Sequence, residues 1–327
     1  MKGFRYAQAH DVASAMATVA ADPGARYVAG GTNVIDLMKE YVEQPSLLVD
    51  ITRLPLRGID PTVHGVRVGA LALMSDVAGH PAVARDFPAV SQALLLSASP
   101  QLRNMATIGG NVMQRTRCAY FRDASQPCNK RAPGTGCSAI SGVNRQHAVI
   151  GGSEHCICTH ASDLAVALLA VDAVVHVRGR AGERAIPFER FHLLPGATPQ
   201  RETVLERGDL ITAVELLTSA HARGSYYLKV RDRASYEFAL VSVAAALDVA
   251  GGRVRSARVA LGGVSPKPWR SHDAEAALVG RPASASTFAE AARAATRGMR
   301  GYGQNDFKLA LTRRAVARAL AHAGGAA

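Results

Sequence analysis

The chain has 327 residues, 48% hydrophobic and 20% charged, the proportions of folded globular domains, which excludes a disordered chain and suits two or three subdomains. Its 38 Lys+Arg against 26 Asp+Glu give a net charge of +12, but aromatics are only 5% and the cations are scattered, which argues against nucleic acid as a partner. No stretch approaches the ~20 apolar residues of a membrane span, and no apolar segment follows Lys2 and Arg5, so no membrane anchor or secretory signal is expected.

The opening reads β-α-β. Phe4–Tyr6 is a short strand, and His10 or Asp11 caps a helix to about Ala20 with Val12, Ala15, Met16 and Val19 on one face. Arg26–Ala29 is a buried-type strand, and Val34–Glu40 a helix. Ser46–Ile51 and Gly65–Ala70 are further strands, and Met74–Ser97 is helical with breaks at Pro81 and Pro88. Ser162-Asp163 caps an apolar helix, and Ala173–Val177 returns as a strand. From about Asp209 the pattern changes. Leu210–Leu216, Tyr226–Arg231, Phe238–Val249 and Arg253–Leu261 read as a run of strands, with Gly251-Gly252 a hairpin turn. Helices at His272–Val279, Ala285–Thr296 and Asp306–Ala323 close the chain. Strands followed by helices predict a separate α+β domain starting near residue 218.

Two glycine turns carry the first chemical signal. Ala29-Gly30-Gly31-Thr32-Asn33-Val34 and Thr107-Ile108-Gly109-Gly110-Asn111-Val112 share a composition of hydroxyl, glycine pair, Asn and apolar helix start. Glycine pairs let backbone N–H groups converge on one spot, an arrangement that suits a pyrophosphate. Neither is the G-x-G-x-x-G dinucleotide fingerprint, so a Rossmann NAD site is not expected. Each taken alone is also an ordinary tight turn. Two in one domain point to an extended diphosphate cofactor held from two sides.

All five cysteines fall in one window: Cys118, Cys128, Cys137, Cys156 and Cys158. Clustered cysteines in a chain without a secretory signal read as metal or cluster ligands before disulfides. The spacing is neither the zinc-finger C-x-x-C nor the compact ferredoxin run. A [4Fe–4S] cluster, a zinc ion and unliganded thiols all remain open on spacing alone. Cys156, Cys158 and His160 alternate, so on a strand they would share a face and favour zinc, with His147 and His155 as further ligands. Between residues 115 and 145, Arg115, Arg117, Arg122, Lys130, Arg131 and Arg145 oppose only Asp123, an excess of positive charge that suits an anionic cluster. Asp163 reads as part of a helix start and as an acceptor for a sugar or ribityl hydroxyl. Lys229, inside the apolar strand 227–231, either faces solvent or meets an anion or a flavin edge. No nucleophile–base triad, Walker loop or H-E-x-x-H is present, so no catalytic residue is assigned.

AGGTNVIDLMK (29–39), LRNMATIGGNV (102–112), HASDLAVALLAVDA (160–173) and YLKVRDRASYEFALVSVAAAL (227–247) together resemble the flavin subunit of molybdenum hydroxylases, the xanthine dehydrogenase family. The cysteine window, with RTRCAYF (115–121) and QPCNKR (126–131), resembles the [4Fe–4S]-bearing flavin subunit of bacterial periplasmic aldehyde oxidoreductases. The resemblance implies an α+β fold: a vanillyl-alcohol-oxidase type FAD domain of two α/β subdomains over residues 1–217, with the cluster insertion at about 115–158. A carbon monoxide dehydrogenase flavoprotein-like domain would follow over 218–327. It implies FAD held by Arg26, Tyr27, Val28, Ala29, Gly30, Gly31, Thr32, Asn33 and Val34, then by Thr107, Gly109, Gly110 and Asn111. Asp163 would bind a hydroxyl of the FAD, and Ile211 and Lys229 would approach the flavin ring. It implies a cluster on Cys118, Cys128, Cys137 and one of the 156/158 pair, Cys156 by position. The implied partners are a large molybdenum-cofactor subunit and a small subunit with two [2Fe–2S] clusters, in a heterotrimer that passes electrons through FAD to an external acceptor. The family carries one cysteine near 156, and this chain has two. Export on a partner's signal would make the complex periplasmic, with the cytoplasm as the alternative. A stand-alone flavin oxidoreductase and a zinc-stabilised binding module are the competing readings.

Overall fold

The computed structural model describes residues 1–325, built around three sheets. The first is parallel, in the order β1–β3–β2, from β1 (Arg5–Gln8), β2 (Ala25–Val28) and β3 (Leu47–Asp50). The helix Val12–Ala21 crosses over it. Its N-cap is Asp11, whose Oδ1 accepts from the Ser14 N–H at 2.8 Å, and it turns Ala15 and Val19 inward. Ala15, Val19, Val49, Ile51, Leu71 and Leu210 make a small core here.

The second sheet is antiparallel, in the order β4–β5–β8–β6–β7. It is built from β4 (Ile59–Thr62), β5 (Gly65–Gly69), β6 (Val174–Gly179), β7 (Gly182–Pro187) and β8 (Leu210–Leu217). The strand read as the first of the later run, β8, lies before the boundary expected near 218 and pairs in this sheet between β5 and β6. Its apolar run reports burial, not which strand it pairs with. Three helices, Met74–Gly79, Pro81–Asp86 and Pro88–Leu96, pack nearby, and the latter two start on proline, where a missing N–H costs nothing.

The third sheet is antiparallel, in the order β12–β11–β10–β9, from β9 (Ser225–Val230), β10 (Val241–Ala250), β11 (Arg253–Gly262) and β12 (Trp269–Arg270). Gly251 and Gly252 sit at φ 58° and 71°, the left-handed values a tight hairpin requires. Helices Ala285–Ala295 and Phe307–Ala323 contribute Phe288, Ala291, Ala292, Val316 and Leu320 to its core.

One helix joins the second and third sheets. Asp163–Ala170 is buried along its whole length, and it packs on helix Pro88–Leu96 and on β10 and β11. An apolar surface on all sides suits a helix enclosed by protein. Just after it, Asp172, at φ 50°, pairs with Arg258 and Arg270 of the third sheet, each at 2.7 Å. No helix among the described residues is long and apolar enough to cross a membrane.

The cysteine window is irregular. It holds two one-turn helices, Ala119–Arg122 and Ser138–Ser141, and Cys128 and Cys137 are bridge partners. Residues 156–160 form no strand; Cys156 and Cys158 line one small cavity, whereas His160 lines others.

Candidate functional site

A cavity of about 540 Å³ opens between the first and second sheets. The two glycine turns form one continuous wall of it, because Gly30 lies directly on the backbone of Met105 and Ala106, immediately before the second turn. Gly31 sits at φ 73°, a conformation that L side chains rarely adopt. Thr107 caps the helix Ile108–Val112, accepting from the Gly110 N–H at 3.2 Å. Asn33 precedes the helix Val34–Lys39 without capping it. Its Oδ1 accepts from the Arg115 N–H at 3.2 Å, and its buried Nδ2 has no partner. An orphaned buried donor at the cavity wall is what a bound acceptor group would satisfy.

The cavity is lined by Arg26, Tyr27, Ala29, Gly30, Gly31, Thr32, Asn33, Val34, Thr107, Gly109, Gly110 and Ile211. Val28 points away, into a small core with Met38 and Leu48. Asn111 lies behind the wall, its Oδ1 accepting from Ser162 Oγ at 2.5 Å. The opposite wall comes from His192, Leu193, Glu202, Thr203 and Leu205, with Leu210 beside Ile211. Those loop residues had no sequence signal: residues 191–206 are irregular, and their place is set by contacts with distant segments. Lys130 Nζ, for example, donates to the Pro199 carbonyl at 2.8 Å.

Asp163 and Lys229 are not on this cavity. Lys229 Nζ meets Asp163 Oδ2 at 2.7 Å, and Asp163 also accepts from the Tyr227 hydroxyl at 2.6 Å and from Ser97 Oγ at 3.1 Å. The lysine read as facing solvent or an anion is thus buried against a carboxylate of its own chain. Burial, and then the charge of Asp163, push the Tyr227 phenol well above its ordinary value, so it stays a donor. Asp163 borders a second cavity of about 270 Å³, with Arg117, Tyr120, His147, His160 and Phe238.

The cysteine window encloses a third, small cavity. Cys118, Cys128, Cys137, Cys156 and Cys158 all line it, and all five are free thiols. Burial pushes the Cys118 thiol up to about 12, and its Sγ lies 3.1 Å from His147 Nε2. Burial likewise pushes His147 down to about 4, leaving a neutral ring.

The local excess of positive charge is neutralised from outside the window. Arg115 pairs with Glu43 and Glu202, Arg117 and Arg122 with Asp36, and Arg145 with Asp232. Arg131 donates to the carbonyls of Tyr120 and Phe121. These arginines therefore clip the loop to the body. Of the cationic shell expected over residues 115–145, the arginines are thus spent elsewhere, and Lys130 is left facing the cysteine cavity.

Residues 2–216 match the FAD binding domain in molybdopterin dehydrogenase, and residues 226–323 match the CO dehydrogenase flavoprotein C-terminal domain. The chain belongs to the FAD-binding medium subunits of the molybdenum hydroxylases, a family of oxidoreductases. It is 48% identical over 326 residues, 99% of both chains, to the aldehyde oxidoreductase FAD-binding subunit PaoB of Escherichia coli strain K12. It is 27% identical over 303 residues to the carbon monoxide dehydrogenase medium chain of Hydrogenophaga pseudoflava, covering 90% of this chain and 88% of that one. The solved carbon monoxide dehydrogenase from Hydrogenophaga pseudoflava superposes with a TM-score of 0.78 at 27% identity, over 99% and 98% of the two chains. Quinoline 2-oxidoreductase from Pseudomonas putida 86 gives 0.76 at 26% identity, over 100% and 99%. The expected two-part α+β architecture is therefore found.

Proposed function

We propose that the chain is the flavin and [4Fe–4S] electron-transfer subunit of a heterotrimeric, molybdenum-dependent aldehyde oxidoreductase. The observation that carries this reading is that all five thiols line one small cavity in the insertion, beside the cavity walled by both glycine turns. A zinc ion would draw its thiolates to about 2.3 Å from one centre. No three His, Cys, Asp or Glu side chains among the described residues gather so as to hold a single metal ion. Thiols spread around a small cavity suit a larger centre. The 48% identity to a subunit named for aldehyde oxidation supports the substrate class.

Arg26–Val34, Thr107, Gly109 and Gly110 would hold the diphosphate of FAD, and Tyr27 and Ile211 would flank its more apolar parts. Asp163, held by Lys229, would border the flavin end from the second cavity. Cys118, Cys128, Cys137 and Cys156 would ligate the cluster. FAD, when bound, supplies a group that takes up two electrons and releases them singly or together. A large molybdenum-cofactor subunit and a small [2Fe–2S] subunit complete the complex, and export on a partner's signal would place it in the periplasm.

The test is purification of the chain alone and with its partners. Expected are flavin, four irons and four sulfides per chain, and aldehyde turnover by the complex only. Zinc without iron would refute the cluster reading, and turnover by the isolated chain would refute the subunit reading.

A further inference from the structure

We propose that Lys130 is a positioning residue: a fixed positive charge in the wall between the cysteine cavity and the cofactor cavity that raises the reduction potential of the centre the cysteines hold. This inference rests on the [4Fe–4S] reading above.

Lys130 is set apart from the other cations of the window. The neighbouring arginines are spent on acids or carbonyls at the loop's rim. Lys130 instead points inward, its side chain only 6% exposed, and it lines both the cysteine cavity and the large cavity. Among the cysteines, Cys158 alone lines those same two cavities. The lysine and the thiol therefore form a shared partition.

The ammonium is held from the far side. Its Nζ donates to the Pro199 carbonyl at 2.8 Å and meets Glu202 at 2.9 Å. These partners use two of its three N–H donors. Glu202 is in turn shared with Arg115, and Arg115 shares Glu43 with Arg26, so three cations face two carboxylates and the group keeps a net positive charge. A lysine is almost never this buried without a reason for its charge.

One-electron reduction of a thiolate-held centre adds one negative charge to an already anionic group. A fixed cation beside it, in a medium of low dielectric, stabilises the reduced form more than the oxidised form. The potential of the cysteine-held centre then rises, and Lys130 produces this without touching its reacting atoms.

The test is a dithionite titration of the intact complex, followed by low-temperature EPR, with iron, sulfide and flavin assayed on each sample. Lys130→Met is expected to keep its iron and shift the midpoint of the cysteine-held centre to a more negative potential. Lys130→Arg is expected to keep the wild-type midpoint. Glu202→Gln, which strips the lysine of its counter-ion, is expected to shift the midpoint the opposite way from Lys130→Met. An unmoved midpoint in Lys130→Met overturns the proposal, as do equal shifts in the Met and Arg variants. Loss of iron in Lys130→Met also overturns it, because the lysine is then a brace for the ligand loop. Wild-type protein without iron would instead overturn the cluster reading, and this inference with it.

Discussion

Gly30 lies so close to Met105 that a Cβ added to it would fall 1.8 Å from the Met105 carbonyl oxygen. That contact is backbone on backbone, so no side chain can swing aside. It fastens the first glycine turn to the segment that leads into the second, and makes one wall of two loops far apart in sequence.

Gly30→Ala is therefore expected to push the two turns apart and empty the cofactor cavity while leaving the distant third sheet folded. Gly31→Val acts differently, through its φ of 73° and a clash at 2.7 Å with Ile35 Cδ1. Both variants should copurify with roughly tenfold less flavin, since 1.4 kcal/mol of misfit already costs that factor. The absorbance ratio of flavin to protein measures it. Full occupancy in either variant would remove the glycine turns from the diphosphate site.

The buried pair Lys229–Asp163 ties the third sheet to the helix beneath it. Lys229→Met leaves the Asp163 carboxylate without its cation in a buried site, which costs about 3–5 kcal/mol. The double variant Lys229→Met/Asp163→Asn removes the charge with its partner and should recover much of that loss. Thermal unfolding of the two, together with flavin content, separates a structural pair from one that also serves the cofactor. If the pair only braces the fold, the double variant binds flavin normally.

What the sequence disclosed divides along a physical line. Local signals were legible: the cap at Asp11, the prolines that open helices at 81 and 88, the glycine pairs, and the crowding of cysteines. Signals that depend on a distant partner were not. The strands Ile59–Thr62 and Gly182–Pro187 were missed because they are largely exposed and carry no alternating apolar pattern. The place of β8 was missed because an apolar strand does not name its neighbours. The charge state of the cysteine window was misread because Asp36, Glu43, Glu202 and Asp232 arrive from elsewhere in the chain. The lining supplied by 192–205 had no motif at all.

Asp172 makes a prediction in acid. Burial alone would raise its pKa, but the His221 ring nitrogen, 3.4 Å away, and the guanidinium groups of Arg270 and Arg258 outweigh it and hold it well below the ordinary carboxylate value. A depressed native pKa contributes stability that is present above the unfolded value of about 3.9 and is lost as pH falls toward the native value. Asp172→Asn should therefore melt below wild type at pH 7. The gap should hold down to about pH 4 and close below it. A gap independent of pH would mean that Asp172 acts through its left-handed backbone, where Asn is also at ease, and not through its charge.

The last prediction concerns the fourth thiolate. A cubane needs four cysteines, and five line the cavity. Cys156 and Cys158 are two residues apart, and both line it. Cys158 also borders the large cavity, whereas Cys156 does not. A thiol in the partition is placed between the two centres, and one confined to the cysteine cavity is placed to complete a ligand set with Cys118, Cys128 and Cys137. Cys156→Ser is therefore expected to lose most of its iron or retain a three-iron form, while Cys158→Ala keeps about four irons per chain. Iron assay with low-temperature EPR on both variants reads the difference. Iron lost from Cys158→Ala but kept by Cys156→Ser would exchange the two roles. Cys158 would then be the ligand beside Lys130, and Cys156 a buried free thiol.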